Sequence, residues 1–94
     1  MKERLYPEAG RIVISRAGRD KGTAYVVLTD PADGRVLVVD GRGRTMERPK
    51  CKNVKHLTAK PRMLERFSDK LQKNPKSLDQ EVRTLLNAEC FSDT

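Results

Sequence analysis

The segment Gly10–Leu28 constrains the fold more than any other part of the chain. It opens with an alternating run, Arg11-Ile12-Val13-Ile14-Ser15-Arg16, in which Ile12 and Ile14 share one face while Arg11, Val13 and Ser15 share the other. A polar turn follows, Ala17-Gly18-Arg19-Asp20-Lys21-Gly22, and the apolar run Tyr25-Val26-Val27-Leu28 returns. β-Branched and aromatic residues fit a pleated, half-buried surface, and the glycines permit a sharp reversal, so the segment reads as strand–loop–strand. Gly18 and Gly22 bracket Arg19 and Lys21, so the backbone can bend while both cations point outward. Asp20, between them, repels phosphate; its expected job is local, its carboxylate accepting loop N–H bonds to hold the turn.

The following residues extend this pattern. Met1–Ala9 is a polar lead-in in which Pro7 favours an extended Tyr6. In Thr29–Gly34, Pro31 suits a type I turn and Gly34 the left-handed position that closes a hairpin. Arg35–Asp40 reads as a third strand, Gly41-Arg42-Gly43 as a turn, and Arg44–Glu47 as a fourth strand ended by Pro49. Cys51–Leu57 supplies a fifth. With charged residues at 35%, aromatics at 4% and no Trp, the core must be thin and aliphatic. Five short strands around such a core predict a mostly β domain, a small barrel over residues 1–60.

The character changes near Thr58, and residues 61–94 are expected to form a helical appendage. Pro61 suits the first position of a helix, and Met63, Leu64, Phe67 and Leu71 recur at helical spacing. Asn74-Pro75 stops that helix, and Ser77-Leu78-Asp79-Gln80 reads as a capping box for a second one. Leu78, Val82, Leu85 and Leu86 form its apolar stripe, ending near Ala88. Such stripes either pack within the domain or dock on a protein partner.

Charge is divided unevenly. The net charge is +7, but residues 1–62 hold 15 Lys/Arg against 7 Asp/Glu, and residues 63–94 hold 5 against 6. Within Arg42–Arg62, both ends included, stand eight cations and one anion, Glu47. Arg42, Arg44, Arg48, Lys50, Lys52 and Lys55 are therefore expected to line a rim beside the Arg19/Lys21 loop, a surface suited to a polyanion. Neutralising phosphates needs several Lys or Arg on one accessible face. Gly18 and Gly22 would also let backbone N–H groups approach a phosphate or ribose without a Cβ in the way. Tyr25 has two candidate places, in the core or rim of the β segment or stacked on a base. With so few aromatics, recognition of RNA shape and backbone is expected rather than base readout.

Other function classes lack their residues. There is one His, no glycine-rich nucleotide loop, and no Ser or Cys beside a plausible base, so no enzyme activity and no cofactor are expected. Cys51 and His56 would lack further zinc ligands at sensible spacing, and Cys51 and Cys90 without CxxC spacing suit reduced thiols. Apolar runs such as Tyr25–Leu28 and Val36–Val39 are far too short to span a membrane, and no signal-peptide apolar region follows Met1-Lys2-Glu3-Arg4. A cytoplasmic protein is expected.

Gly10, the alternating run, Ala17-Gly18-Arg19-Asp20-Lys21-Gly22 and the returning valines together resemble the KOW motif of ribosomal and transcription-elongation proteins. Three further stretches are similar to archaeal and eukaryotic-type large-subunit ribosomal KOW proteins: Thr23–Val27, Arg35–Gly41 and Arg48–Leu57. The likeness covers about residues 9–58, and Met63–Thr94 does not align. It implies an SH3-like barrel that binds ribosomal RNA, with Arg16, Gly18, Arg19, Lys21 and Gly22 matching the motif loop and Lys50–His56 the basic segment. A constitutive ribosomal protein and a short ribosome-associated bacterial relative both fit this resemblance. The competing function is a protein-interaction module that contacts RNA polymerase or a ribosomal protein, suggested by the near-neutral amphipathic tail.

Overall fold

A computed structural model of the chain describes residues 5–88; Cys90 and the start of the lead-in lie outside the described residues. Five antiparallel strands form one sheet: β1 (Arg11–Ser15), β2 (Ala24–Val27), β3 (Arg35–Val39), β4 (Lys50–Asn53) and β5 (Leu57–Met63). Two helices follow, α1 (Phe67–Lys73) and α2 (Pro75–Ala88). The sheet order is β4-β3-β2-β1-β5, so the strand that opens the motif segment lies between β2 and β5.

β4 and β5 lie at opposite edges of that order, yet only a 3₁₀ turn over Val54–His56 joins them. Four strand spacings in a flat sheet would separate the edges by about 19 Å. A 3₁₀ connection of this length advances about 8 Å. The sheet must therefore roll, and its two faces become two cores. Val13, Tyr25, Val27, Val36, Val38 and Leu57 fill the inner face. Ile12, Val26 and Val39 point the other way and pack under Phe67, Leu78 and Val82 of the helices. Alternation along each strand thus supplies both layers. Leu78 and Val82 are fully buried, so the α2 stripe packs inside the domain.

Several local expectations are corrected. Arg44–Glu47 is not a strand but part of an irregular turn, held by Asp40 Oδ1, which accepts from the N–H groups of Arg42 (2.8 Å) and Arg44 (3.0 Å). Strand β4 runs from Lys50 to Asn53 instead of continuing to Leu57. Gly34 takes the expected left-handed position (φ 73°), but with Asp33 also at positive φ (53°) the hairpin after β2 turns at Asp33-Gly34 as a type I′ reversal rather than a type I turn at Pro31. Ala32 and Arg35 close it with reciprocal backbone bonds of 2.9 and 3.0 Å.

Pro61 does not start a helix. It lies in β5, where β1 pairs Arg11 with Met63 but Val13 with Ala59, so extra residues bulge from β5 around Pro61. An edge-strand bulge accommodates a residue without an N–H. The Arg11 guanidinium fills the bulge, donating to the carbonyls of Lys60 (3.2 Å) and Pro61 (3.1 Å). The boundary expected at residue 60 therefore falls inside a strand. Helix α1 begins only at Phe67, after Arg66 in the left-handed conformation (φ 53°). Pro75 takes the first position of α2, and Asn74 Oδ1 accepts from Ser77 N–H at 3.3 Å. Asn74 performs the capping expected of Ser77.

Helix α2 lands on the turn after β3 at Gly41, which is buried with φ 78°. A Cβ there would stand 2.4 Å from the Asp79 carbonyl oxygen and 2.9 Å from Arg83 N. Only glycine combines this φ with so close a helix backbone. Arg83 Nη1 donates to the Gly41 carbonyl (2.8 Å), and Met46 N–H donates to Asp79 Oδ1 (2.9 Å). No helix among the described residues is long and apolar enough to cross a membrane.

Candidate nucleic-acid interface

The loop between β1 and β2 is closed by its own backbone. Ser15 N–H donates to Thr23 O (2.9 Å), Gly22 N–H to Ser15 O (2.7 Å) and Thr23 N–H to Asp20 O (2.9 Å). Gly18 and Gly22 hold φ of 86° and 92°, in the left-handed region that side chains resist. The bond to Ser15 occupies the Gly22 N–H, so that donor is not offered to a ligand as the sequence suggested.

This backbone turns Asp20 inward. Its Oδ1 accepts from Ser15 Oγ (2.8 Å) and Lys52 Nζ (3.1 Å), and its Oδ2 from Tyr25 Oη (2.7 Å) and Lys50 Nζ (3.1 Å). Lys52 Nζ also donates to Ser15 Oγ at 3.2 Å. The donors come from β1, β2 and β4, which meet here because the sheet rolls. Ser15 is fully buried, and the side chains of Lys52 and Asp20 are only 9% and 13% exposed. Burial opposes the Asp20 charge, but hydrogen bonds from Tyr25, Ser15, Lys52 and Lys50 outweigh it and hold the carboxyl well below the usual carboxylate range. Burial, and then the bond to Asp20, pushes the Tyr25 hydroxyl up.

The predicted contact residues divide into two groups. Arg19 and Lys21 are exposed, with no side-chain partner among the described residues. Arg16 is exposed and bonds the 3₁₀ turn twice, through N–H to His56 O (2.8 Å) and Nε to Lys55 O (2.8 Å). It thereby brings exposed Lys55 beside the loop, although the two are 39 residues apart. Arg44 and Arg48 are also exposed. Arg42 is exposed but leans on α2, its Nη2 donating to Asn87 Oδ1 at 2.9 Å.

Lys50 and Lys52 do reach the motif loop, but as its internal supports. Lys52 is buried and cannot stand on an exposed rim, and half-buried Lys50 has its ammonium on Asp20. Their register explains this: Lys50 and Lys52 pair with Val38 and Val36, whose side chains fill the inner core. Tyr25 is likewise a core residue at 4% exposure, so its ring is not available to stack on a base. Ser15 was not foreseen as a site residue. A signal for it existed, because Ser15 and Tyr25 each stand five positions from the only acid of the loop.

Two of the grooves beside the helices share no residue with this cationic end. One of about 490 Å³ is lined by Leu64, Ser77, Thr84 and Leu85, and the other, about 460 Å³, by Leu28, Met46, Leu71 and Pro75. No protein-family model matches the chain, and a search of curated proteins finds no relative.

Proposed function

We propose that this protein binds structured RNA through its phosphate backbone, on a scaffold of the SH3-like barrel type, with ribosomal RNA as the target that its KOW-like segment implies. One observation carries the reading: Arg19 and Lys21 stand exposed on a glycine-bracketed loop with no side-chain partner among the described residues, while the loop's only acid is turned inward and neutralised. Arg16 and Lys55 extend the cationic surface across two chain segments. The strongly rolled sheet supports a barrel. With Tyr25 buried, the β1–β2 loop itself offers charge and backbone rather than an aromatic stacking platform, which suits shape over base sequence. The alternative protein-docking role leaned on the α2 stripe, and its central residues Leu78 and Val82 are covered by the sheet.

The test is binding of a labelled RNA hairpin between about 50 and 200 mM salt. Three or four phosphate contacts give a log–log slope of about −3. Exchanging Arg19 and Lys21 together for Glu should weaken binding by about 3 kcal/mol without unfolding the domain. A salt-independent affinity, or a doubly substituted protein that binds normally, rejects the reading.

A further inference from the structure

We infer that Asp20 is a positioning residue for RNA, acting through Arg19 and Lys21, and that Lys52 and Lys50 serve the contact surface from beneath without touching the ligand. The inference rests on the RNA-binding reading of the same loop. An acid between two phosphate-binding cations is an electrostatic liability if its carboxylate faces the ligand. Here the carboxylate is withdrawn and anchored by four donors from three strands, at 2.7 to 3.1 Å. Among the described residues, no side chain of the domain holds Arg19 or Lys21 directly. Their chain neighbour Asp20 therefore supplies the side-chain tether that ties this stretch of loop to the sheet. The two ion pairs also hold both ammonium groups on Asp20, the Lys52 one from a buried side chain and the Lys50 one from a half-buried side chain, so that they neutralise it from the sheet side.

This arrangement makes the sign of one substitution diagnostic. Asp20→Asn removes a negative charge beside the interface and frees two lysines. On charge alone it should tighten RNA binding, because a polyanion ligand gains with each unit of positive charge. On a positioning role it should weaken binding despite the added charge. The Asn amide group presents N–H donors to a cluster of donors, and the loop loses its anchor.

The experiment measures affinity for an RNA hairpin at fixed salt, below the melting transition of each variant. Asp20→Asn is expected to raise Kd about tenfold, the scale of one well-placed charge-assisted contact. Placed in an Arg19→Ala/Lys21→Ala background, the same change should have no further effect, because the residues it acts through are gone. Should Asp20→Asn fail to fold, Tyr25→Phe removes one Asp20 donor with no change in charge. It is expected to raise Kd about threefold and to speed amide exchange at Arg19–Lys21. Tighter binding by Asp20→Asn, an undiminished Asp20→Asn effect in the doubly substituted background, or a Tyr25→Phe protein with unchanged Kd overturns the positioning role. If Arg19→Ala/Lys21→Ala alone leaves affinity unchanged, the RNA-binding reading of the loop has failed instead.

Discussion

Three glycines outside the motif loop make a graded test of how the helical layer is mounted. At Gly41, alanine meets two costs. Its φ of 78° lies in the left-handed region, which costs a residue with a Cβ about 1 kcal/mol. Its Cβ would also stand 2.4 Å from the Asp79 carbonyl oxygen and 3.1 Å from the Arg83 Cβ. Neither atom can leave by changing rotamer, so α2 must retreat by about 1 Å to restore van der Waals contact. Overpacking of this kind costs about 1–3 kcal/mol. The retreat also stretches the Arg83–Gly41 and Asp79–Met46 bonds and loosens Leu78 and Val82 over the sheet. A total of about 3 kcal/mol lowers Tm by about 12–24 °C in a domain this small. Gly34 shares the positive φ, at 73°, but has nothing within 4 Å of its added Cβ. Gly34→Ala should therefore cost about 1 kcal/mol, or about 4–8 °C. Gly43 has neither constraint, so Gly43→Ala should lie within about 0.5 kcal/mol of the parent. Thermal melts followed by circular dichroism decide the order. A Gly41→Ala protein that melts no lower than Gly34→Ala would refute the argument that the helix backbone rests on Gly41.

Acid should erode the contribution of the Asp20 cluster only below the ordinary carboxylate range. Because the folded carboxyl is held well below its unfolded value near about 3.9, its contribution to stability is present above that value and is lost as pH falls through the folded one. Urea unfolding of the parent and of Asp20→Asn should differ most near neutral pH, and the difference should narrow steadily as pH falls below about 4; parallel curves would contradict the burial and bonding of this carboxylate. At the start of α2, Asn74→Ala should cost about 1 kcal/mol and Ser77→Ala less than about 0.5. The reverse order would return the cap to Ser77.

Much of the candidate site could be read locally. The alternation Ile12-Val13-Ile14, the glycines at 18 and 22 and the valine run after Tyr25 specify β1, the loop and β2 from residues close together in the chain. Exposure of Arg19 and Lys21 follows from the same short stretch. The apolar stripe Leu78, Val82, Leu85 and Leu86 likewise announces α2 through its period alone. Lys50 and Lys52 were misjudged because a lysine pair at i, i+2 shares a strand face, and only the rolled sheet decides whether that face meets solvent or Asp20.

The same distinction separates the two halves of the fold. Sequence by itself determined that Gly10–Leu28 is a strand–loop–strand with two cations at its tip, because strand propensity, alternation and turn glycines act within a few residues. Tertiary structure alone decided that Leu57–Met63 is a strand with Pro61 in its bulge, since the carbonyls that admit Arg11 lie about fifty residues from it. It also decided that Gly41 is the seat of α2 and that Asp20 is a buried anchor. Each depends on groups brought into hydrogen-bond or van der Waals reach by the rolling of the sheet or the docking of a helix, and no local preference encodes such a meeting.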